Sequence, residues 1–119
     1  MDGGDMERGT ETAAALTVCP LPGAPGLKAT GEVSLGTYGV WEAALDRAVR
    51  EGADVCCGGY VLELSALTFV DVGGAGALAA AARRMPAGRR IVLHRPPPAL
   101  CRVLEMFWPD HPAIEVSKS

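Results

Sequence analysis

A chain of 119 residues, 49% hydrophobic and 21% charged, suffices for one domain with one core and not for two. The net charge of −3 comes with no basic patch of the kind nucleic-acid binding requires, so neither DNA nor RNA is an expected partner. Aromatic residues make up only 5% of the chain, which leaves Ala, Val and Leu to fill the core.

Residues 1–10 are polar and acidic and read as a flexible tail, with the domain running from 11 to 119. The apolar segment Ala13 to Cys19 suits a β-strand, and the proline-rich stretch Pro20 to Gly26 suits a turn. From Leu27 to Leu35 apolar and polar residues alternate: Leu27, Ala29, Val33 and Leu35 against Lys28, Thr30, Glu32 and Ser34. Gly31 interrupts that run as at a bulge. These two segments are expected to form an antiparallel pair.

A helix follows. Trp41, Ala44, Leu45, Ala48 and Val49 make one apolar stripe, with Thr37 as N-cap, Gly52 as the stop and Asp46–Arg50 as an i,i+4 pair. Tyr60 to Leu64 is a short apolar run suited to a strand buried on both faces. A second helix is expected after Asp71, ending near Pro86, with Ala75, Leu78, Ala79 and Ala82 inward. Arg90 to His94 reads as another central strand. Pro98 opens a third helix at or near its first position, with Leu100, Val103, Leu104 and Phe107 as its stripe. Trp108 falls off that stripe, which leaves it either packed under the C-terminal segment or exposed as an interface anchor. Ile114 to Val116 fits a final edge strand. The order β-β-α-β-α-β-α, with that last strand, implies a parallel sheet with an antiparallel edge.

The most informative stretch runs from Leu62 to Leu78: a buried strand, a short polar turn from Ser65, then Asp71-Val72-Gly73-Gly74 leading into an apolar helix. It resembles the central motif of STAS domains. Gly31-Glu32-Val33-Ser34-Leu35 and the segment His94 to Leu104 are similar to two further stretches of that family, and the resemblance covers about residues 13 to 116. It implies an α/β fold: a STAS-like single domain, a mixed β-sheet of four to five strands packed by three main helices. In the family the turn usually reads Asp-Ser-Ser-Gly or Asp-Ser-Thr-Gly, and the second hydroxyl residue is phosphorylated. Here Val72 and Gly73 stand in those places, so the phosphoacceptor-equivalent position, Gly73, has no hydroxyl to phosphorylate.

Asp71 has two roles open to it, as a cap on the helix start and as part of a partner-facing surface. Gly73 and Gly74 admit an unusual φ, a close approach by a partner backbone, or a small anion on bare N–H groups. Ser34 stands where the family often has an Asp, beside the switch site, and Glu63 matches a common family Asp with a structural role. The expected partner-binding surface is Asp71, Val72, Gly73, Gly74 and Ala75, with Ser34, Gly36 and Thr37 in the neighbouring loop.

His94, Glu105 and His111 form no coherent catalytic set, so no enzyme is expected. The cysteines Cys19, Cys56, Cys57 and Cys101 lack Cys-x-x-Cys spacing; they read as reduced thiols, and neither metal nor cofactor is expected. No secretory signal and no apolar run of about 18 residues is visible, which fits a cytoplasmic protein without a membrane span. The resemblance implies a non-catalytic bacterial signalling protein like an anti-sigma-factor antagonist. Its partner would be an anti-sigma factor or serine kinase-type ATPase, bound without phosphorylation control at the usual site. Two alternatives stay open: a ligand- or anion-sensing STAS domain, and a scaffold subunit of a larger complex. Oligomeric state is undecided by the sequence.

Overall fold

The computed structural model describes residues 11–13, 16–54, 59–109 and 111–117. The expected tail at 1–10 and the Cys56-Cys57 pair lie outside the described residues. Strands β1 (Glu11–Ala13), β2 (Leu16–Pro20), β3 (Gly26–Val33), β4 (Tyr60–Val70), β5 (Ile91–His94) and β6 (Ile114–Ser117) form one six-stranded sheet among the described residues, ordered as in the chain. The helices are α1 (Tyr38–Gly52), α2 (Val72–Arg83) and α3 (Pro98–Phe107), with a 3-10 turn at Leu35–Thr37.

Connection length sets the strand directions. The β2–β3 link is a tight turn, closed by the Leu21 N–H donating to the Gly26 carbonyl at 3.0 Å, and that pair is antiparallel. β3–β4, β4–β5 and β5–β6 are parallel, the first two crossovers carrying α1 and α2 and the third α3. The expected antiparallel edge on a parallel sheet is therefore present. It gains a further short strand, β1, which shares only Ala13 with the assigned run Ala13 to Cys19 and pairs Glu11 with Val18 and Ala13 with Leu16 of β2. Gly31 marks a bulge as expected: its φ is +120°, and the β3–β4 register shifts between Gly31 and Glu32.

One face of the sheet carries Leu27, Ala29, Leu62, Leu64, Ile91 and Leu93, all buried. Trp41, Ala44, Leu45 and Ala48 of α1 close over it, as the apolar stripe predicts, and Ala75, Leu78, Ala79 and Ala82 of α2 pack beside them. The alanines keep α2 thin, so its backbone comes close to α1. There the buried Trp41 Nε1–H donates to the Gly74 carbonyl at 3.0 Å, which satisfies the indole without water.

Several local expectations are corrected. The strand expected to stop at Leu64 runs on to Val70, because β3 continues beside it and pairs Glu32 with Phe69 and Val33 with Val70. The anticipated polar turn is thus part of β4. Leu35, placed inward by alternation, lies past the end of β3 and is 83% exposed. α1 does stop at Gly52 as expected, but not by a left-handed turn, since the C-cap Ala53 is right-handed. A Cβ at Gly52 would lie 2.8 Å from Met85 Cε and 3.2 Å from Tyr60 Cβ, so tight packing favours the glycine. Asp46 pairs across helices with Arg84 at 2.7 Å instead of with Arg50, while the i,i+4 pair of α1 is Arg47–Glu51 at 2.8 Å. Phe107, expected inward, is 55% exposed, while Trp108 takes the packed one of its two readings, against the core with its ring edge over Gly76.

Candidate functional site

The carboxyl ends of β3 and β4 place two loops side by side: Ser34–Thr37 before α1 and Asp71–Gly74 at the start of α2. They are joined by the Asp71 N–H, which donates to the Val33 carbonyl at 3.1 Å. Asp71 has extended backbone and sits at the N-cap of α2, and its Oδ1 accepts the Gly74 N–H at 2.8 Å. The Ala75 N–H donates to the Asp71 carbonyl at 3.1 Å and completes the first helical turn. The capping role is therefore realised.

The same oxygen accepts a second hydrogen bond, from the Tyr38 hydroxyl at 2.8 Å. Tyr38 is the first residue of α1, and its contact with Asp71 ties the starts of both helices together. The bond to Asp71, some burial, and the negative charges of Asp71 and Glu42 all push the Tyr38 phenol above its ordinary value.

Neither glycine of the turn is needed for its backbone angles, since Gly73 and Gly74 lie in α2 and neither has positive φ. Both are crowded from inside the chain, Gly74 by strand side chains and Gly73 by the end of the Tyr38 side chain, which would have to shift. A Cβ on Gly74 would stand 2.6 Å from Val33 Cγ1 and 3.1 Å from Val70 Cγ1, so a bare backbone lets α2 lie against β3 and β4. A Cβ on Gly73 would overlap the Tyr38 hydroxyl oxygen and lie 2.8 Å from its Cζ.

The residues assigned to this surface from sequence divide by exposure. Gly36, Val72 and Gly73 are exposed, and Ser34 and Asp71 are half-buried. Gly74 and Ala75 are buried, behind the surface rather than on it. Thr37 is 2% exposed. Its hydroxyl accepts the Ser34 N–H at 2.9 Å and donates to the Glu32 carbonyl at 3.0 Å, so it shapes the loop and makes no side-chain cap on α1. Within the Ser34 to Tyr38 loop expected beside the turn, Leu35 is exposed and Tyr38 half-buried. Leu35 and Val72, the latter 54% exposed, put one exposed apolar side chain on each of the two neighbouring loops. Sequence periodicity gave no sign of Tyr38, because its partner lies 33 positions away.

A second polar cluster sits on the opposite face of the sheet. Glu63 is nearly buried and paired in register with His94. Its carboxylate takes hydrogen bonds from the Ser65 hydroxyl and the Ser65 N–H, pairs with His94 Nδ1, and has Arg95 Nη2 at 3.5 Å. Burial alone would raise its pKa, but the bonds from His94 and Ser65 outweigh it and hold the carboxyl down at about 2. Ser65 bonds to Glu63 and not to His94, so the three side chains form a hydrogen-bonded cluster centred on the Glu63 carboxylate and not a nucleophile–base relay. No grouping of His, Cys, Asp and Glu suited to a metal ion occurs among the described residues. No helix among them is long and apolar enough to cross a membrane.

A mixed sheet with an antiparallel edge, covered by α1 and α2 whose starts meet at a capped Asp-x-Gly-Gly turn, is the architecture of a STAS domain. The family model described as Mlab, STAS domain matches residues 21–114, and the chain belongs to the STAS-domain family. Among solved structures it is similar to an anti-sigma factor antagonist from Mycobacterium paratuberculosis, at 22% identity and a TM-score of 0.63 over 87% of this chain and 85% of that one. It is also similar to the anti-sigma factor antagonist SpoIIAA in its unphosphorylated form, at 17% identity and a TM-score of 0.57 over 87% of this chain and 88% of that one. No curated protein sequence matches the chain.

Proposed function

We propose that this STAS domain is a non-catalytic bacterial signalling protein of the cytoplasm that acts as an anti-sigma-factor antagonist. It binds its protein partner, an anti-sigma factor of the serine kinase-type ATPase class, through the surface formed by Ser34, Leu35, Gly36, Tyr38, Asp71, Val72 and Gly73. The carrying observation is the α2 start itself: an exposed, uncharged Val72-Gly73 edge on a capped turn, with the exposed Leu35 in the neighbouring loop. Exposed apolar side chains around a small polar centre are what a protein interface uses as anchors. The two solved structures compared above are anti-sigma factor antagonists, which supports the partner class.

Phosphorylation at the turn would need a hydroxyl on the first residues of α2, and Val72, Gly73 and Gly74 supply none. Association is therefore constitutive or set by the amounts of the two proteins. To test this, the purified chain is titrated calorimetrically with kinase-fold anti-sigma factors, then incubated with each and ATP before phosphate mapping by mass spectrometry. The expected result is saturable binding that Leu35→Glu or Val72→Glu weakens at least about tenfold, with no phosphate between residues 68 and 76. Stoichiometric phosphate in that interval, or binding indifferent to both substitutions, would sink the proposal.

A further inference from the structure

Gly73 poses a question of its own. It stands in the first turn of α2 without positive φ, where almost any residue has better helix propensity than glycine. Backbone geometry does not require it. The nearest atoms to a Cβ there all belong to one side chain: the Tyr38 Oη, Cζ and Cε2. A serine hydroxyl at position 73 would start from a Cβ that the Tyr38 hydroxyl already overlaps. That hydroxyl is anchored in turn, donating its proton to Asp71 Oδ1 at 2.8 Å.

We infer that Tyr38 has taken over the side-chain place of residue 73. The two positions form a matched pair, and the phenol of Tyr38 is the hydroxyl that this surface presents to its partner. This deepens the proposed function, on which it rests for the claim that the surface is a contact site. Because the phenol proton points inward to Asp71, Oη has only lone pairs to offer outward. The negative charges of Asp71 and Glu42 act on the same group. The complementary group on the partner is therefore a hydrogen-bond donor, and a cationic one is favoured by charge. The pairing also bears on regulation. A hydroxyl restored at residue 73 alone competes with Tyr38 for one place, so both positions must change before residue 73 can carry a side chain in this geometry.

Four proteins test the pair: the wild type, Gly73→Ser, Tyr38→Ala and the double variant, with Gly73→Ala as a smaller version of the first change. Each is followed by thermal unfolding and by ultraviolet titration of the phenols. Gly73→Ser and Gly73→Ala are expected to lower Tm by a few degrees, the sign opposite to that of helix propensity. In the Tyr38→Ala background the same substitutions leave Tm unchanged or raise it. In the Gly73 single variants the more readily titrating phenol returns toward the ordinary tyrosine range, since its bond to Asp71 is lost. Equal Tm changes in both backgrounds, or a phenol titration that does not move, would overturn the inference. Neither readout needs a partner, so a failure here is separable from a failure of partner binding.

Discussion

Asp71 Oδ1 holds two donors, the Gly74 N–H and the Tyr38 hydroxyl, each at 2.8 Å. Its removal should therefore do more than uncap α2. Asp71→Ala is expected to cost about 1 kcal/mol from the cap alone, a fall of about 5 °C in Tm. It should also bring the Tyr38 phenol down toward the ordinary tyrosine range, which a cap acting by itself would not do. Glu63 makes a separate prediction. Its folded pKa, about 2, lies below the ordinary value of 4.5. A carboxylate depressed in this way contributes its full stabilisation above the unfolded pKa and loses it as pH falls through the folded one. Melting temperature should thus drop as pH is lowered from about 4.5 toward 2, and Glu63→Gln should flatten that slope while lowering Tm at neutral pH. Glu51 is lowered as well, by bonds from Tyr60 and Arg47, and adds to the slope in the same direction, so a residual pH dependence is expected in the variant. Asp71 was legible as a cap because capping is local, within three residues of chain. Tyr38 was not, because its role exists only once α1 and α2 are side by side.

Among elements, α2 shows how much depends on close approach. Two helical glycines separate the effects. Gly74→Ala forces a methyl within 2.6 Å of Val33 Cγ1, and overpacking of that kind should cost about 1–3 kcal/mol. Gly39 in α1 has nothing within 4 Å of an added Cβ, so Gly39→Ala should gain up to about 1 kcal/mol from propensity. Chemical denaturation of both variants checks the contrast; destabilisation by both would remove the packing account. The elements misjudged from sequence share one cause. β4 is longer than its apolar run because β3 supplies hydrogen-bond partners as far as Val70, whatever the side chains. α3 is amphipathic through Leu100 and Leu104, but the chain leaves the helix at Trp108, where φ is −137°. Trp108 turns back over Gly76 while Phe107, still helical, points to solvent. A helical wheel assumes the helix continues, which fails for Trp108.

At the scale of the whole molecule, one core joins β2 to β5 with the inner faces of α1, α2 and α3. Leu64 and Leu93 are fully buried at its centre, and Leu64→Ala or Leu93→Ala should cost about 2–5 kcal/mol in one cooperative transition. Different midpoints by far-ultraviolet circular dichroism and Trp fluorescence would show instead that the core is divided. The surface ion pairs Arg47–Glu51, Arg84–Asp46 and Arg90–Glu115 are well exposed and should matter little by comparison. The strand and helix order, the antiparallel edge, the Gly31 bulge, the α1 stripe and the Asp71 cap could all be read along the chain, because each depends on neighbours a few residues apart or on a simple period. Sheet length at β4, the exchange of roles between Phe107 and Trp108, the packing reason for Gly52 and Gly74, and the seating of Tyr38 in the place of a residue 73 side chain required the folded chain. Each is a contact between segments far apart in sequence, and neither propensity nor periodicity carries information about which distant side chain will fill a given space.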